Sequence, residues 1–247
     1  AQVLSAVWLV WAVIRFGRLS PDVEELPLGP QLRGIRTAAA SGTPLLLRTL
    51  TLRACLLLMT FGAAALGTVE VATTQLAMTI WTFLAFALDA IAIAAQAIIG
   101  KYVGSGDHRA RQQATWLMVR WGLGFGVITG IGLAALAPFL GIPFTTDPQV
   151  RAALVVVLLI AAVGQPIAGV VFVLDGVLIG AGEGRYLAVA GLVVLVIFAP
   201  FVWLAVDVAG SLPWLWVAFV AAFMGSRCVV LLARAARTTP TTSPRRQ

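Results

Sequence analysis

VATTQLAMTIWTFLAFALDAIAIAAQAIIG, residues 71–100, decides the fold of this chain. The stretch is too apolar for the surface of a water-soluble protein, yet a polar residue recurs at every seventh position: Gln75, Thr82, Asp89 and Gln96. Seven residues fall about 20° short of two helical turns, so these side chains form one narrow stripe on an α-helix. A carboxylate inside a bilayer is costly unless it faces other helices or a wet cavity. Asp89 is therefore the first candidate functional residue.

The composition indicates a membrane protein. Hydrophobic residues make up 60% of the 247 residues, charged residues only 11%, and the mean hydropathy is +0.99. A soluble domain carries about 25% charged residues. The net charge of +7 could indicate a nucleic-acid-binding protein, but the basic residues lie in short loops between apolar segments. Because charge-sorted membrane topology produces that pattern, we expect a lipid bilayer as partner and no nucleic acid.

Six apolar segments are long enough to cross a hydrocarbon core about 30 Å thick. They cover residues 43–66, 70–100, 114–140, 150–180, 185–207 and 212–235. We interpret residues 1–16 as the end of a transmembrane helix whose beginning is missing, and residues 17–41 as a cytoplasmic connector interrupted by prolines. Residues 238–247 are expected to form a disordered cytoplasmic tail. The predicted fold class is all-α integral membrane, with a six-helix transmembrane lobe over residues 42–237.

Two features predict how these helices pack. Gly122, Gly126 and Gly130 recur at every fourth position of the third segment, which favours close approach of another helix. Gln165 and Pro166 lie in the middle of the fourth segment. A proline there removes a backbone hydrogen bond, so we expect Pro166 to kink the helix beside a cavity. We predict that the polar residues of the spans line this cavity, namely Gln75, Thr82, Gln96 and Gln165.

Two segments carry an aspartate within a similar sequence. Phe86-Ala-Leu-Asp89 and Phe172-Val-Leu-Asp175 share the pattern F-x-L-D, and a small residue follows each aspartate. In a chain so rich in alanine and valine the match is a weak sign of an internal repeat, a common feature of transporters.

Arg53 is a possible partner for either acid. It lies about twelve residues into its segment, and Asp89 lies about eleven residues from the inner end of its own, so the two have similar depth at 1.5 Å per residue. Two interpretations stay open. Arg53 pairs with Asp89 or Asp175 and protonation of the acid breaks the pair, or Arg53 forms a static pair or extends toward the membrane surface.

Four motifs follow one another along the chain: Arg48-x-x-x-x-Arg53, LLLMTFGAAALG, TFLAFALDAIAIAAQAIIGKYVGSGD and FVLDGVLIGAGEGRYL. They resemble the C-terminal half of the multidrug and toxic compound extrusion (MATE) family, most closely its DinF-like branch. The resemblance implies twelve helices in two six-helix lobes around a cavity that opens alternately to each side. It further implies efflux of drugs or organic cations, driven by inward flow of H⁺ or Na⁺, across a bacterial plasma membrane.

The same resemblance assigns roles to residues. Asp175 falls on an acid that is implicated in cation coupling in several members, and Asp89 falls on the eighth-helix acid of the DinF-like branch. We therefore expect both Asp175 and Asp89 to be cation-coupling residues. The expected partners are a small-molecule substrate and an N-terminal six-helix lobe, which these residues do not contain. Apart from H⁺ or Na⁺ as coupling ion we expect no cofactor, no metal site and no catalytic residues.

Three other classes remain as alternatives. A lipid-linked saccharide flippase of the same superfamily needs several intramembrane basic residues for pyrophosphate, for which Arg53 and Arg48 are the candidates. An intramembrane enzyme needs a Ser/His, HExxH or paired-Asp site, but the single histidine, His108, lies in a charged loop. A channel would conduct ions without saturation or coupling. We therefore expect a transporter and not an enzyme.

Overall fold

The computed structural model describes residues 2–17 and 32–237, and within these ranges the regular elements are helices, with no strand. They are α1 (Gln2–Gly17), α2 (Leu32–Leu66), α3 (Thr68–Gly104), α4 (His108–Leu140), α5 (Pro148–Gly180), α6 (Gly184–Trp203), α7 (Leu212–Ala218) and α8 (Gly225–Arg237). A π-helical segment, Leu204–Val208, extends α6, and another, Phe219–Met224, joins α7 to α8.

Six helical segments of the described chain are long and apolar enough to cross a membrane. They are Gly42–Leu66, Thr68–Gly104, His108–Leu140, Pro148–Gly180, Gly184–Val208 and Leu212–Arg237. These bounds agree with the six apolar segments of the sequence, so the predicted fold class is confirmed.

The structure differs from the predicted domain organisation in the residues before the first crossing segment. Helix α2 begins at Leu32 instead of near Gly42 and continues through Pro44, so the last part of the predicted connector is helical. No proline lies between Leu32 and Thr43, and Ala38 to Ala40 are strong helix formers. The rest of the connector, residues 18–31, and the predicted tail, 238–247, lie outside the described residues.

Contacts divide the chain into two units, residues 1–40 and residues 41–247. In the first unit, α1 is an apolar helix with Arg15 in its last turn and the Arg15 guanidinium 5.1 Å from the centre of the Trp11 ring. The second unit contains all six crossing segments, and the site described below lies entirely within it.

Short turns connect the crossing helices of the second unit. The Asp147 side chain accepts hydrogen bonds from the backbone N–H groups of Gln149 and Val150, which satisfies free donors at the start of α5. Gly182 follows the end of α5 with φ +76°, a left-handed conformation that glycine adopts without steric cost. The turn between α5 and α6 can therefore reverse the chain within a few residues.

Helix α5 lies at the centre of the second unit, and 61% of its most apolar stretch is buried. Glycines let its neighbours approach closely. A Cβ atom on Gly122 or Gly126 of α4 would lie 2.5 Å from a carbonyl oxygen of α5, and one on Gly130 would lie 2.7 Å away. Gly176 and Gly180 of α5 contact the backbone of α3 in the same way. The glycine spacing therefore correctly predicted a close helix contact, and α3, α4 and α5 form one tightly packed group.

Larger side chains join the remaining helices to this group. Helix α2 packs on α6 and α7, where Gly62 faces Val202 and Leu215. Phe219 contacts Trp81 of α3 edge to face, with ring centres 5.2 Å apart, and stacks on Phe223. These ring contacts attach the segment between α7 and α8 to α3.

Candidate functional site

A cavity of about 370 Å³ lies between α2, α3, α5 and the segment from α7 to α8. Five charged side chains of the described residues line it: Arg48, Arg53, Asp89, Asp175 and Arg227. Aromatic rings supply much of the remaining lining, from Trp81, Phe86, Phe172, Phe219 and Phe223. A pocket with an apolar wall and a few convergent polar groups is the usual form of a small-molecule site.

Asp175 of α5 is held between two arginines. Its Oδ2 lies 2.7 Å from an Nη atom of Arg48, and Arg227 donates a hydrogen bond to the same oxygen. The side chains of Asp175 and Arg227 are each 9% exposed, and that of Arg48 is 19% exposed. Charges this far from water are tolerated because they are paired. The ion network joins three helices, α2, α5 and α8, at one carboxylate.

An aromatic ring supports one member of the network. The Arg227 guanidinium lies over the Phe223 ring, 5.4 Å from its centre. Phe223 is 2% exposed and stacks on Phe219, so the ring itself is fixed. This cation–π contact adds to the ion pair and limits the directions in which Arg227 can move.

Arg53 lies elsewhere in the same cavity. It is exposed to the cavity, and within residues 2–17 and 32–237 it forms no ion pair with Asp89 or Asp175. The predicted pairing of Arg53 with either acid is therefore wrong. Arg53 comes five positions after Arg48, which turns the directions of their side chains about 140° apart around α2. Similar depth does not bring two side chains into contact when they point in different directions around the helix axis.

The polar stripe of α3 is placed partly as predicted. Thr82, Asp89 and Gln96 line the cavity, and all three are exposed. Gln75 is also exposed but does not line the cavity, because it lies one further step of about 10 Å along the helix. The predicted position of Gln75 in the cavity wall is therefore corrected.

Gln165 and Pro166 lie in the interior of α5. Gln165 is 1% exposed, does not line the cavity, and faces α4 at Gly126 and Gly130. Its predicted position in the cavity wall is therefore wrong. The reason is that the glycines draw this face of α5 onto α4. Helix α5 continues through Pro166, and the kink stays a prediction.

Arg227 is the functional candidate that sequence reasoning missed. It lies inside the last apolar segment, ten positions before Arg237, or about 15 Å along a helix. An arginine this deep in an apolar span is itself a signal, because such a charge needs a partner. Its partner, Asp175, is 52 residues away in the chain, and only the packing of α8 on α5 brings the two together.

A second polar contact ties the turn before α6 to α8. Glu183 accepts two hydrogen bonds from Arg234, at 2.8 and 2.9 Å, and the Arg234 guanidinium lies 5.1 Å from the centre of the Tyr186 ring. The Tyr186 hydroxyl donates a 2.7 Å hydrogen bond to the carbonyl oxygen of Val230. These contacts are more exposed than the Asp175 network, and they fix α8 at a second point along its length.

Six membrane-crossing helices around a buried ion network define a multi-pass membrane protein. The MatE family profile matches residues 44–204, which is more than half of the chain. The chain belongs to the MATE family of transporters.

Curated relatives and solved structures agree with this assignment. Protein DETOXIFICATION 45, chloroplastic, from Arabidopsis thaliana is 30% identical over 223 residues, covering 87% of this chain and 37% of the relative. A crystal structure of MATE in the straight conformation has a TM-score of 0.81 at 17% identity, covering 96% of this chain and 54% of the solved one. The Vibrio cholerae MATE transporter VcmN in the bent form gives 0.77 at 19% identity, covering 89% and 50%. At these identities the solved structures show the fold alone.

Coverage is unequal in each of these comparisons. This chain spans about half the length of the solved MATE chains and just over a third of DETOXIFICATION 45. The matched part therefore corresponds to about half of a solved MATE chain.

Proposed function

We propose that this chain forms the C-terminal lobe of a secondary active antiporter of the DinF-like branch, which exports organic cations and other drugs in exchange for H⁺ or Na⁺. The lobe works with a second, N-terminal six-helix lobe in a bacterial plasma membrane. The family match and the half-length coverage of solved transporters support this proposal. The same match favours an exporter over the flippase and enzyme alternatives.

The observation that carries the proposal is the carboxylate of Asp175, shared by two arginines in the wall of the cavity. A proton or Na⁺ that binds the Asp175 carboxylate competes with both guanidinium groups, which contact its Oδ2 atom. When the coupling ion binds Asp175, the ion pairs with Arg48 and Arg227 break. The polar contacts that hold α2 and α8 to α5 are then lost. Ion binding is thereby linked to the arrangement of the helices that enclose the cavity.

Asp89 serves the substrate side of the exchange. It lines the cavity and forms no ion pair within the described ranges, so its carboxylate is available to a cation that enters. Rings of Phe86 and Phe172 lie in the same wall and can cover the apolar part of such a compound. Because Asp89 and Asp175 share one cavity, a substrate cation and a coupling ion repel each other there. Exchange of one for the other follows from that repulsion.

The test measures gradient-driven export by the complete transporter in proteoliposomes, with ethidium as a fluorescent organic cation and an imposed H⁺ or Na⁺ gradient. We expect Asp175→Asn to reduce gradient-driven export at least tenfold while the protein still inserts into the membrane. Asp207→Asn, which changes an exposed carboxylate beyond the end of α6, is the matched control and should leave export unchanged. Export by Asp175→Asn at the native rate would refute the coupling role.

A separate arm of the same experiment examines Asp89. Asp89→Asn should raise the ethidium concentration needed for half-maximal export, because the variant removes the available carboxylate and leaves the Asp175 network in place. An unchanged concentration dependence would remove Asp89 from the substrate site.

A further inference from the structure

Arg53 is the cavity arginine that Asp175 does not hold. Arg48 and Arg227 both bind Asp175, whereas Arg53 is exposed in the cavity and has no ion-pair partner among residues 2–17 and 32–237. We propose that Arg53 is an anion-binding subsite, which receives the carboxylate or another acid group of an amphipathic substrate. The inference rests on the proposed function in treating this cavity as the place where substrate binds.

The depth of Arg53 favours an anion as its ligand. It lies 11 positions after Gly42 and 13 before Leu66, or about 17 and 20 Å from the two ends of the crossing segment. The boundary of the hydrocarbon core is about 15 Å from the bilayer centre, farther than an arginine side chain extends. Lipid phosphates therefore lie beyond its reach. A guanidinium at the centre of a bilayer is costly unless a cavity or an anion accommodates it.

The charge of the cavity wall points to the same class of ligand. Its three arginines and two aspartates leave one positive charge in excess. An acid group bound at Arg53 would neutralise this excess, and Asp89 would still be available to a cationic group. Arginine suits this role, because its planar guanidinium binds carboxylates with two parallel hydrogen bonds.

The surroundings of Arg53 define the rest of the ligand. Leu52 and Leu56 on the same helix, and Met78 and Trp81 on α3, line the cavity with apolar surface. Asp89 has no ion-pair partner within the described ranges either, and it does not pair with Arg53. An acidic compound with an aromatic body therefore satisfies Arg53 and buries its ring against these side chains. A basic group on the same compound can bind Asp89.

The experiment compares two probes that differ in charge at one position, 2-naphthoate and 2-naphthalenemethanol. Binding to the complete transporter in phosphatidylcholine nanodiscs is measured by titration calorimetry. Because a charge-assisted hydrogen bond is about twice as strong as a neutral one, we expect naphthoate to bind at least about tenfold more tightly than the alcohol. Arg53→Gln should abolish this preference and leave binding of the alcohol unchanged. Arg53→Lys should restore part of it.

Two controls make the result specific. Arg120→Gln removes an exposed arginine of α4 that does not line the cavity, and it should keep the full preference for naphthoate. Adding phosphatidylglycerol to the nanodiscs tests whether an anionic lipid occupies Arg53, and it should not change the preference for naphthoate over the alcohol. Loss of this preference in phosphatidylglycerol would assign the site to lipid and overturn the proposal.

Other outcomes also overturn it. Equal affinity for the two probes in the native protein would show that Arg53 is not available, as when an acid of the second lobe binds it. If Arg53→Gln weakens the binding of both probes equally, the side chain only shapes the cavity. Export of ethidium separates this proposal from the preceding one. If Asp175→Asn stops ethidium export while Arg53→Gln leaves probe selectivity unchanged, the anion subsite fails and the coupling role stands.

Discussion

Replacing Arg227 by methionine removes one of the two cations that bind Asp175. Breaking a buried ion pair costs about 3–5 kcal/mol, because it leaves a charge without compensation. Arg48, which lies 2.7 Å from Asp175 in the native protein, can still pair with it, so we expect a cost near the lower limit, about 3 kcal/mol. Asp175→Leu leaves two arginines without a partner and should cost about 5 kcal/mol. Arg48→Met should cost the least, because Arg48 has the most exposed side chain of the three.

The variants combined provide the sharper test. If the groups act as one network, the cost of Asp175→Leu with Arg227→Met should be about 1–3 kcal/mol smaller than the sum of the single costs. The triple variant, with Arg48→Met added, should lie within about 2 kcal/mol of the native protein, because apolar replacement of a buried ion network is often neutral or stabilising. We expect this triple variant to fold but to lose gradient-driven export.

The free energy of unfolding can be measured by titrating the protein in mixed micelles with sodium dodecyl sulfate and following tryptophan fluorescence. Arg120→Met, which changes an exposed arginine of another crossing helix, serves as the matched control and should cost less than about 1 kcal/mol. Strictly additive costs for Asp175→Leu and Arg227→Met would refute the network. So would an equal cost for Arg227→Met and Arg120→Met.

Three further substitutions test the packing around α5 and α8 in the same unfolding assay. Gly126→Ala places a methyl group against the α5 backbone and should cost about 1–3 kcal/mol, whereas Gly124→Ala, which faces open space, should be neutral or slightly stabilising. Equal costs would contradict the close contact between α4 and α5. Tyr186→Phe removes one hydrogen bond and should cost about 1 kcal/mol, with Tyr102→Phe as the control. Equal costs for the two variants would show that this hydrogen bond does not stabilise the protein. Gln165→Leu removes a buried Oε1 without a hydrogen-bond partner among the described residues, so it should be neutral or stabilise by about 1 kcal/mol; a cost above about 2 kcal/mol would reveal a partner for this oxygen.

The helices and their closest contacts could be predicted from the sequence because both depend on local patterns. A crossing helix needs a run of apolar residues of fixed minimum length, so each segment is visible without knowledge of its neighbours. The repeat of Gly122, Gly126 and Gly130 likewise marks a face on which backbones can approach. It correctly predicts the contact but does not identify α5 as the partner. Glycines of α5 against α3 were found only in the structure.

The charged site was less predictable, because contact across helices depends on rotation as well as depth. Arg53 and Asp89 were matched by depth and do line the same cavity, yet they form no ion pair. Arg48, which lies about 140° away around α2, takes the role expected of Arg53. Arg227 could have been singled out as a charge inside an apolar span, but its partner depends on how α8 packs against α5.

The two F-x-L-D sequences show which properties of an aspartate a shared motif predicts and which it does not. Asp89 and Asp175 follow the same local pattern on helices that pack side by side, and both face one cavity. Asp175 meets arginines from α2 and α8, whereas Asp89 meets none within the described residues. The difference therefore comes from the neighbouring helices and not from the motif. If coupling requires a carboxylate whose partners can be displaced, Asp175 meets that requirement, and Asp89 is the carboxylate that an entering cation reaches without displacing another charge.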